Sequence, residues 1–479
     1  MTEPEEEQWN HSDPLGEAAR NHLKVNYLYP YQRLVVANTL DAAESTEAEV
    51  VNQIVVLPTG SGKTLCFSLP AWMLPGTTLV VYPLLALMKD QARRAAEFGL
   101  QVAVLRGGLA RAERKRLLEG IRRDQYDIVI TNPETLAVQD VRAALVSCTV
   151  DHLVIDEAHC VSEWGESFRP AYLELRSAMD QIHPKVTTAF TATASDPILE
   201  SVRRLLFADN PVRIVRANPD RPNISYAVIA GHCKPRILRS LFTAPSVPRP
   251  AIVFCRSRVR TEEVARTLAG TVAADDLAAY HAGLTAQTRA TVEDWFFASQ
   301  AGVLVSTCAY GMGVDKPNIR CVIHYDPPAS VEAFLQESGR AGRDRMAAVS
   351  VLLVGPQDYA TAGSSPRYDI MLRYAADSGC RRSFLMERMG AESESCFGCD
   401  SCTPRQLPAA LSRAQTEDRS RVAKLLRTVR RNPRRFSADD LIAAADWTTA
   451  ERELVESLLV TGALRSPAGG LWRGRVVAS

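Results

Sequence analysis

The chain has 479 residues, 46% of them apolar and 23% charged, with 56 Lys+Arg against 55 Asp+Glu for a formal charge of +1. At roughly 150 residues per domain that length suggests about three domains, and the apolar fraction excludes a disordered, collagenous or coiled-coil chain. No apolar run approaches the ~18 residues of a membrane span, and the acidic start MTEPEEEQWN is no signal peptide, so a cytoplasmic chain without membrane contact is expected, nucleoid-associated if bacterial.

Residues 1–14 are polar and acidic and are expected to be a disordered tail. Over 15–208, short β-branched runs (Gln53 to Leu57, Thr78 to Tyr82, Asp127 to Thr131, Leu153 to Ile155) alternate with longer stretches of helical spacing. That is the pattern of βαβ units around a parallel sheet covered on both faces. A Pro- and Asn-rich stretch (Asn210-Pro211, Asn218-Pro219, Arg221-Pro222) reads as a linker, and the alternation resumes over 209–356 with Ala251 to Cys255, Val303 to Ser306 and Cys321 to Tyr325. Beyond Gly355 it stops. A cysteine cluster over 357–405 and a short tail over 406–479 close the chain. The tail predicts helices near 419–431, 437–445 and 448–460, then a hairpin over 463–475, the composition of a winged helix. Its basic stripe, Arg419 to Arg435, has the charge pattern of a phosphate-binding surface.

Ile54 to Leu57 runs directly into Pro58-Thr59-Gly60-Ser61-Gly62-Lys63-Thr64 and then a helical stretch, the context of a phosphate-binding loop. Gly60 and Gly62 allow the tight turn, and Thr59 to Thr64 cradle the phosphates, with Lys63 reaching the β/γ-phosphates and Thr64 placed for Mg²⁺. Leu57 stands where the full eight-residue pattern has its first glycine. A second strand, Leu153 to Ile155, delivers Asp156 and Glu157 to its C-terminal end, where α/β sheets bind ligands. Asp156 suits Mg²⁺, and Glu157 suits orienting and deprotonating the attacking water. A third element, Gln336-Glu337-Ser338-Gly339-Arg340-Ala341-Gly342-Arg343-Asp344, brings two arginines that suit a developing γ-phosphate charge; the alternative is surface arginines paired with Asp344 or Glu337. Hydrolysis residues split over two domains imply closure on ATP and opening on product release.

Cys380, Cys396, Cys399 and Cys402 have the spacing of a closed tetrahedral, structural Zn²⁺ site, in a segment expected to draw most of its folding energy from the metal. The other seven cysteines lie in or beside apolar runs and read as small buried side chains.

With these pieces placed, Leu23 to Cys402 resembles the RecQ family of superfamily 2 ATP-dependent DNA helicases. The resemblance runs through Leu79 to Gln91, Asp156 to Tyr172, Thr191-Ala192-Thr193, Ala251 to Ser257, Tyr280 to Leu284, Tyr310 to Pro317 and Gln336 to Asp344. It implies an α/β fold of two RecA-like parallel-sheet lobes, a four-cysteine zinc-binding module and a winged-helix-like tail, in a short form with no further C-terminal domain. It also implies ATP, Mg²⁺ and Zn²⁺ as cofactors, and 3′→5′ translocation on single-stranded DNA that unwinds duplex in repair or recombination. The alternative is a DNA-stimulated ATPase or translocase that remodels DNA with little unwinding. The implied partner is DNA, single-stranded and forked, with a single-stranded-DNA-binding protein as an accessory and a monomeric chain.

Residue by residue, the segment Ser162 to Pro170 resembles the family's aromatic-rich loop: Trp164 and Phe168 stack on bases and Arg169 contacts phosphate. Leu23 to Gln32 resembles its adenine motif, with Gln32 on the adenine edge and Tyr27 or Tyr29 on its face, although LYPYQ departs from the family's FRPGQ-like run. Arg256, Ser257, His281 and Thr307 resemble positions that grip the tracking strand; Trp472 in the hairpin either packs against its own domain or serves as a strand-splitting aromatic.

Overall fold

The computed structural model describes residues 13–44, 51–58, 61–83, 85–161, 171, 174–192, 195–208, 210–243, 246–308, 316–363, 365–391, 395–443, 449–466 and 475–478. The chain divides into two units, 1–218 and 219–479. The first is built on strands β1 (Asn52–Val56), β2 (Thr77–Val81), β3 (Val102–Val104), β4 (Ile128–Thr131), β5 (Val150–Ile155), β6 (Val186–Thr191) and β7 (Val212–Arg216). They pair throughout in parallel, in the order β3-β4-β2-β5-β6-β1-β7. Successive residues alternate between two cores: Ile54, Val56, Leu79 and Val81 pack into one, Val55, Leu57 and Val80 into the other. Helices cover both faces, which is why these strands read as unbroken apolar runs.

β7 pairs with β1, so the first sheet continues past residue 208, where the sequence pattern ends the first lobe. The reason is composition. β7 is the sheet's edge, with only Val215 of its five residues buried, and it lacks the apolar run of a central strand. The amino-terminal helix Pro14–Leu23 begins at the end of the expected tail, capped by the Asp13 side chain on the Gly16 amide at 3.0 Å.

The second unit carries β8 (Ile224–Ala230), β9 (Ala251–Phe254), β10 (Leu277–Tyr280), β11 (Val303–Ser306), β12 (Cys321–His324) and β13 (Ala348–Val354), parallel in the order β10-β11-β9-β12-β13-β8. The same alternation recurs, with Ile252, Phe254 and Leu304 facing one core and Ala251, Val253 and Val303 the other.

The cysteine module leans on this sheet. Gly398 O accepts from Tyr226 N at 3.2 Å and Asp400 N donates to Tyr226 O at 3.0 Å, so the segment extends the β8 edge. Helices Pro366–Ala376 and Arg381–Arg388 place Met371, Tyr374, Leu385 and Met386 in one cluster with Ile224, Tyr226 and Phe334, and buried Cys399 joins it. Apolar burial on the sheet therefore contributes to the module's folding beside what a metal would supply. Of the seven other cysteines, six are buried as expected; Cys308 is exposed.

The tail begins earlier than the basic stripe suggests, with helix Ala409–Arg431, followed by Ala438–Ala443, Thr449–Val460 and the antiparallel pair β14 (Leu464–Arg465) and β15 (Val477–Ala478). Val429, Leu441, Leu454, Leu458 and Val476 form its core together with Cys233. Buried Asp418 fixes the long helix to the sheet domain by accepting from His232 N at 2.9 Å and Cys233 N at 3.1 Å. No helix among the described residues is long and apolar enough to cross a membrane.

Candidate active site

The phosphate-binding loop leaves the C-terminal end of β1. Leu57 is fully buried and still donates to Thr191 O at 2.9 Å, so it extends the strand where the longer glycine pattern would already turn. Gly62 caps helix Lys63–Met73 at φ +79, a left-handed geometry in which a Cβ would stand 2.6 Å from Gln32 Nε2. Gln32 is buried and braces the loop: its Nε2 donates to Ser61 O at 2.8 Å, and its Oε1 accepts from Tyr29 N at 2.9 Å. Tyr31 OH also donates to Ser61 O, at 3.2 Å, and stacks on Tyr29 with ring centroids 5.4 Å apart. Tyr27, the other expected stacking ring, is 61% exposed. Thr59 and Gly60 lie outside the described residues.

Lys63 Nζ lies 3.2 Å from Glu157 Oε1 and 3.5 Å from Asp156 Oδ1. Burial alone would lower the ammonium's proton affinity, but the two carboxylates outweigh it and hold Lys63 above its ordinary value. Burial pushes the Asp156 carboxyl up against the pull of Lys63. Asp156 Oδ1 is buried with the Lys63 ammonium 3.5 Å away, outside good hydrogen-bond geometry, and its lone pairs suit a hard divalent cation. Thr64 Oγ1, the other expected Mg²⁺ ligand, donates to Gln91 Oε1 at 2.9 Å. Glu157 has a left-handed backbone at φ +49, and His159 Nδ1 links this segment to β6 through Thr191 Oγ1 at 3.1 Å.

In the second unit, Arg340 is buried and Arg343 half-buried in the loop after helix Val331–Ser338. Of the two acids of the alternative reading, Asp344 pairs with Arg320, and Glu337 Oε2 lies 3.0 Å from His324 Nδ1. The parallel register aligns Phe254, Ser306 and Tyr280 across β9, β11 and β10, so Arg256, Ser257, Thr307 and His281 leave one edge of the sheet. Arg256 and Ser257 are exposed, whereas Thr307 is buried and His281 is buried against Glu262, Nε2 to Oε1 3.3 Å. Trp164, Phe168, Arg169 and Trp472 lie outside the described residues.

The four cysteine sulfurs all fall within 4.8 Å of one another. A tetrahedron of thiolates at Zn–S distances of about 2.3 Å has sulfurs about 3.8 Å apart, so the cluster is of the right size. Cys380, Cys396, Cys399 and Cys402 therefore fit a closed metal site that has no catalytic opening.

Sequence reasoning missed the Gln91, Tyr31 and Thr191 contacts. It also missed Arg221 and Asn223, which donate into the arginine loop from the stretch read as linker.

A phosphate-binding loop whose lysine faces a paired acidic motif, on the first of two parallel-sheet units, defines a helicase-type nucleoside triphosphatase. Residues 29–201 match the DEAD/DEAH box helicase model and 233–345 the helicase conserved C-terminal domain. The chain is 30% identical over 450 residues to the ATP-dependent DNA helicase RecQ of Pasteurella multocida, which covers 90% of this chain and 68% of that protein. It is 41% identical over 310 residues to the probable ATP-dependent DNA helicase RecS of Bacillus subtilis, 64% of this chain and 61% of that one. Among solved structures, the DUF1998 helicase MrfA bound to DNA superposes with a TM-score of 0.60 at 19% identity, over 98% of this chain and 62% of that chain. The chain belongs to the RecQ family of ATP-dependent DNA helicases.

Proposed function

We propose that this chain is an ATP-dependent 3′→5′ DNA helicase. The observation that carries it is Lys63 held between Asp156 and Glu157 at the C-terminal edge of the first sheet, in a chain of this family. Lys63 binds the β/γ-phosphates, Glu157 takes the proton of the attacking water, and Arg340 and Arg343 stabilise charge on the γ-phosphate. Thr64 and Asp156 are the residues that would hold Mg²⁺, which when bound neutralises phosphate charge. Gln32 reads the adenine edge; its present bond to Ser61 O makes the loop carbonyl and the base competitors for one amide.

On the DNA side, Trp164 and Phe168 stack on bases, and Arg169, Arg256, Ser257, His281 and Thr307 grip the strand. Exposed Arg427, Arg430, Arg431, Arg434 and Arg435 add phosphate attraction from the tail, and Cys380, Cys396, Cys399 and Cys402 are the residues that would hold Zn²⁺, which when bound would cross-link the module. The test is hydrolysis: ATP turnover is expected to rise with single-stranded DNA and to exceed its rise with RNA. An unstimulated rate, or equal stimulation by both polymers, contradicts the DNA assignment.

A further inference from the structure

Helix Val331–Ser338 runs into the arginine loop, whose amides close its last turn: Gly339 N donates to Leu335 O at 2.8 Å, Arg340 N to Glu337 O at 3.2 Å and Ala341 N to Ser338 O at 3.0 Å. The carbonyls of the loop itself are taken by Arg221, three residues before β8. Its Nη1 donates to Gly339 O at 3.3 Å, and its Nη2 to Ala341 O at 3.4 Å and Gly342 O at 2.8 Å. Asn223 closes a second clamp, Nδ2 donating to Gly342 O and Met346 O, each at 2.9 Å. Gly342 sits between them at φ +56, where a Cβ would stand 2.4 Å from Asn223 Nδ2. The path of the loop is thus set by two side chains more than a hundred residues upstream.

Arg221 is seated in its turn. Arg382, fully buried and two residues beyond Cys380, pairs with Asp220 and donates to Ile224 O at 2.5 Å and Arg221 O at 3.3 Å. Its guanidinium lies over the rings of Tyr226 and Phe397, 5.2 Å and 5.6 Å from their centroids. These contacts fix the backbone on both sides of Arg221. Burial, and also the nearby charge of Arg343, hold the Arg221 guanidinium below its ordinary value, so the clamp keeps two like charges on one loop.

We propose that Arg221, seated by Arg382 of the cysteine module, is the positioning residue of the arginine loop, fixing Gly339 to Gly342 so that Arg340 and Arg343 meet the γ-phosphate in one geometry. This rests on the role proposed above for those two arginines. Because Arg221 acts through the loop, its loss falls on turnover and spares nucleotide binding.

The test compares the full chain with Arg221→Ala, Arg221→Lys, Asn223→Ala, Arg382→Lys, Arg343→Ala and the Arg221→Ala/Arg343→Ala double variant. The readouts are DNA-stimulated ATPase kinetics and hydrogen exchange of the loop amides without nucleotide. Arg221→Ala is expected to lower kcat by at least about tenfold with KM for ATP within about twofold. Loop exchange should rise, Arg221→Lys should recover part of the loss, and Arg382→Lys should shift both readouts the same way by less. The double variant should be no slower than Arg343→Ala, since one arginine works through the other. If Arg221→Ala does not fold, Asn223→Ala opens the same loop. Full turnover in Arg221→Ala beside a dead Arg343→Ala overturns the proposal, as does additive loss in the double variant. Full turnover in Arg343→Ala instead overturns the finger reading and the catalytic half of the proposal with it, and unchanged loop exchange in Arg221→Ala would then remove the clamp too.

Discussion

Glu157 occupies the left-handed region, which in a residue with a Cβ costs on the order of 1–3 kcal/mol and persists only where the surroundings impose it. Here Asp156 N is tied to Val81 O at 3.0 Å and Ala158 N to Phe190 O at 2.8 Å, so the backbone is held on both sides of the carboxylate. The kink lets two adjacent acids share the Lys63 ammonium while differing beyond it: Asp156 has a buried oxygen suited to a cation, and Glu157 also faces His159. Glu157→Gln keeps the shape and removes the base, so kcat is expected to fall roughly 10²–10⁴-fold with nucleotide binding retained. Steady-state turnover beside fluorescent-nucleotide titration checks it; equal losses in both would assign Glu157 to binding. Lys63, Asp156 and Glu157 were legible because each sits where an apolar run ends. Thr64 to Gln91 and His159 to Thr191 were not, since those bonds join positions 27 and 32 residues apart and carry no spacing signal.

At the scale of elements, the central strands were legible as β-branched runs buried on both faces. β3 has only three residues and β7 exposes three of its five side chains, so neither leaves a run to read. The tail shows the same limit. Its basic face was plain, but Asp418, which a charge count treats as solvated, is buried as an anchor for the start of helix Lys234–Phe242. Helix Thr449–Val460 brings a second acid inward: burial pushes the Glu453 carboxyl up to about 7, against the pull of Arg260 and Lys234 and with Glu456 and Glu263 opposing its ionisation. The folded value lies above the unfolded one, so the neutral form favours the fold below about pH 4.5 and that contribution is lost as pH rises through 7. Glu453→Gln is therefore expected to raise the melting temperature at pH 8 and leave it unchanged at pH 4, the gain amounting to at most about 3 kcal/mol. Thermal melts of both chains across that range check it, and a gain independent of pH would show that packing and not titration is responsible.

For the whole molecule, hydrolysis has to be converted into movement along a strand. Stacking contributes roughly 1–3 kcal/mol per base, against about 1.4 kcal/mol for an average duplex step, so an aromatic loop can hold one opened step but cannot sustain a run of them. Sustained unwinding then depends on turnover at Lys63. The direct measurement is strand separation on forked duplexes carrying either a 3′ or a 5′ single-stranded tail, with and without ATP and Mg²⁺, for the natural chain and Lys63→Ala. The account predicts separation from the 3′-tailed fork only, dependent on ATP and abolished in Lys63→Ala. Vigorous DNA-stimulated hydrolysis with no separation of either fork would contradict it and leave a translocase in its place.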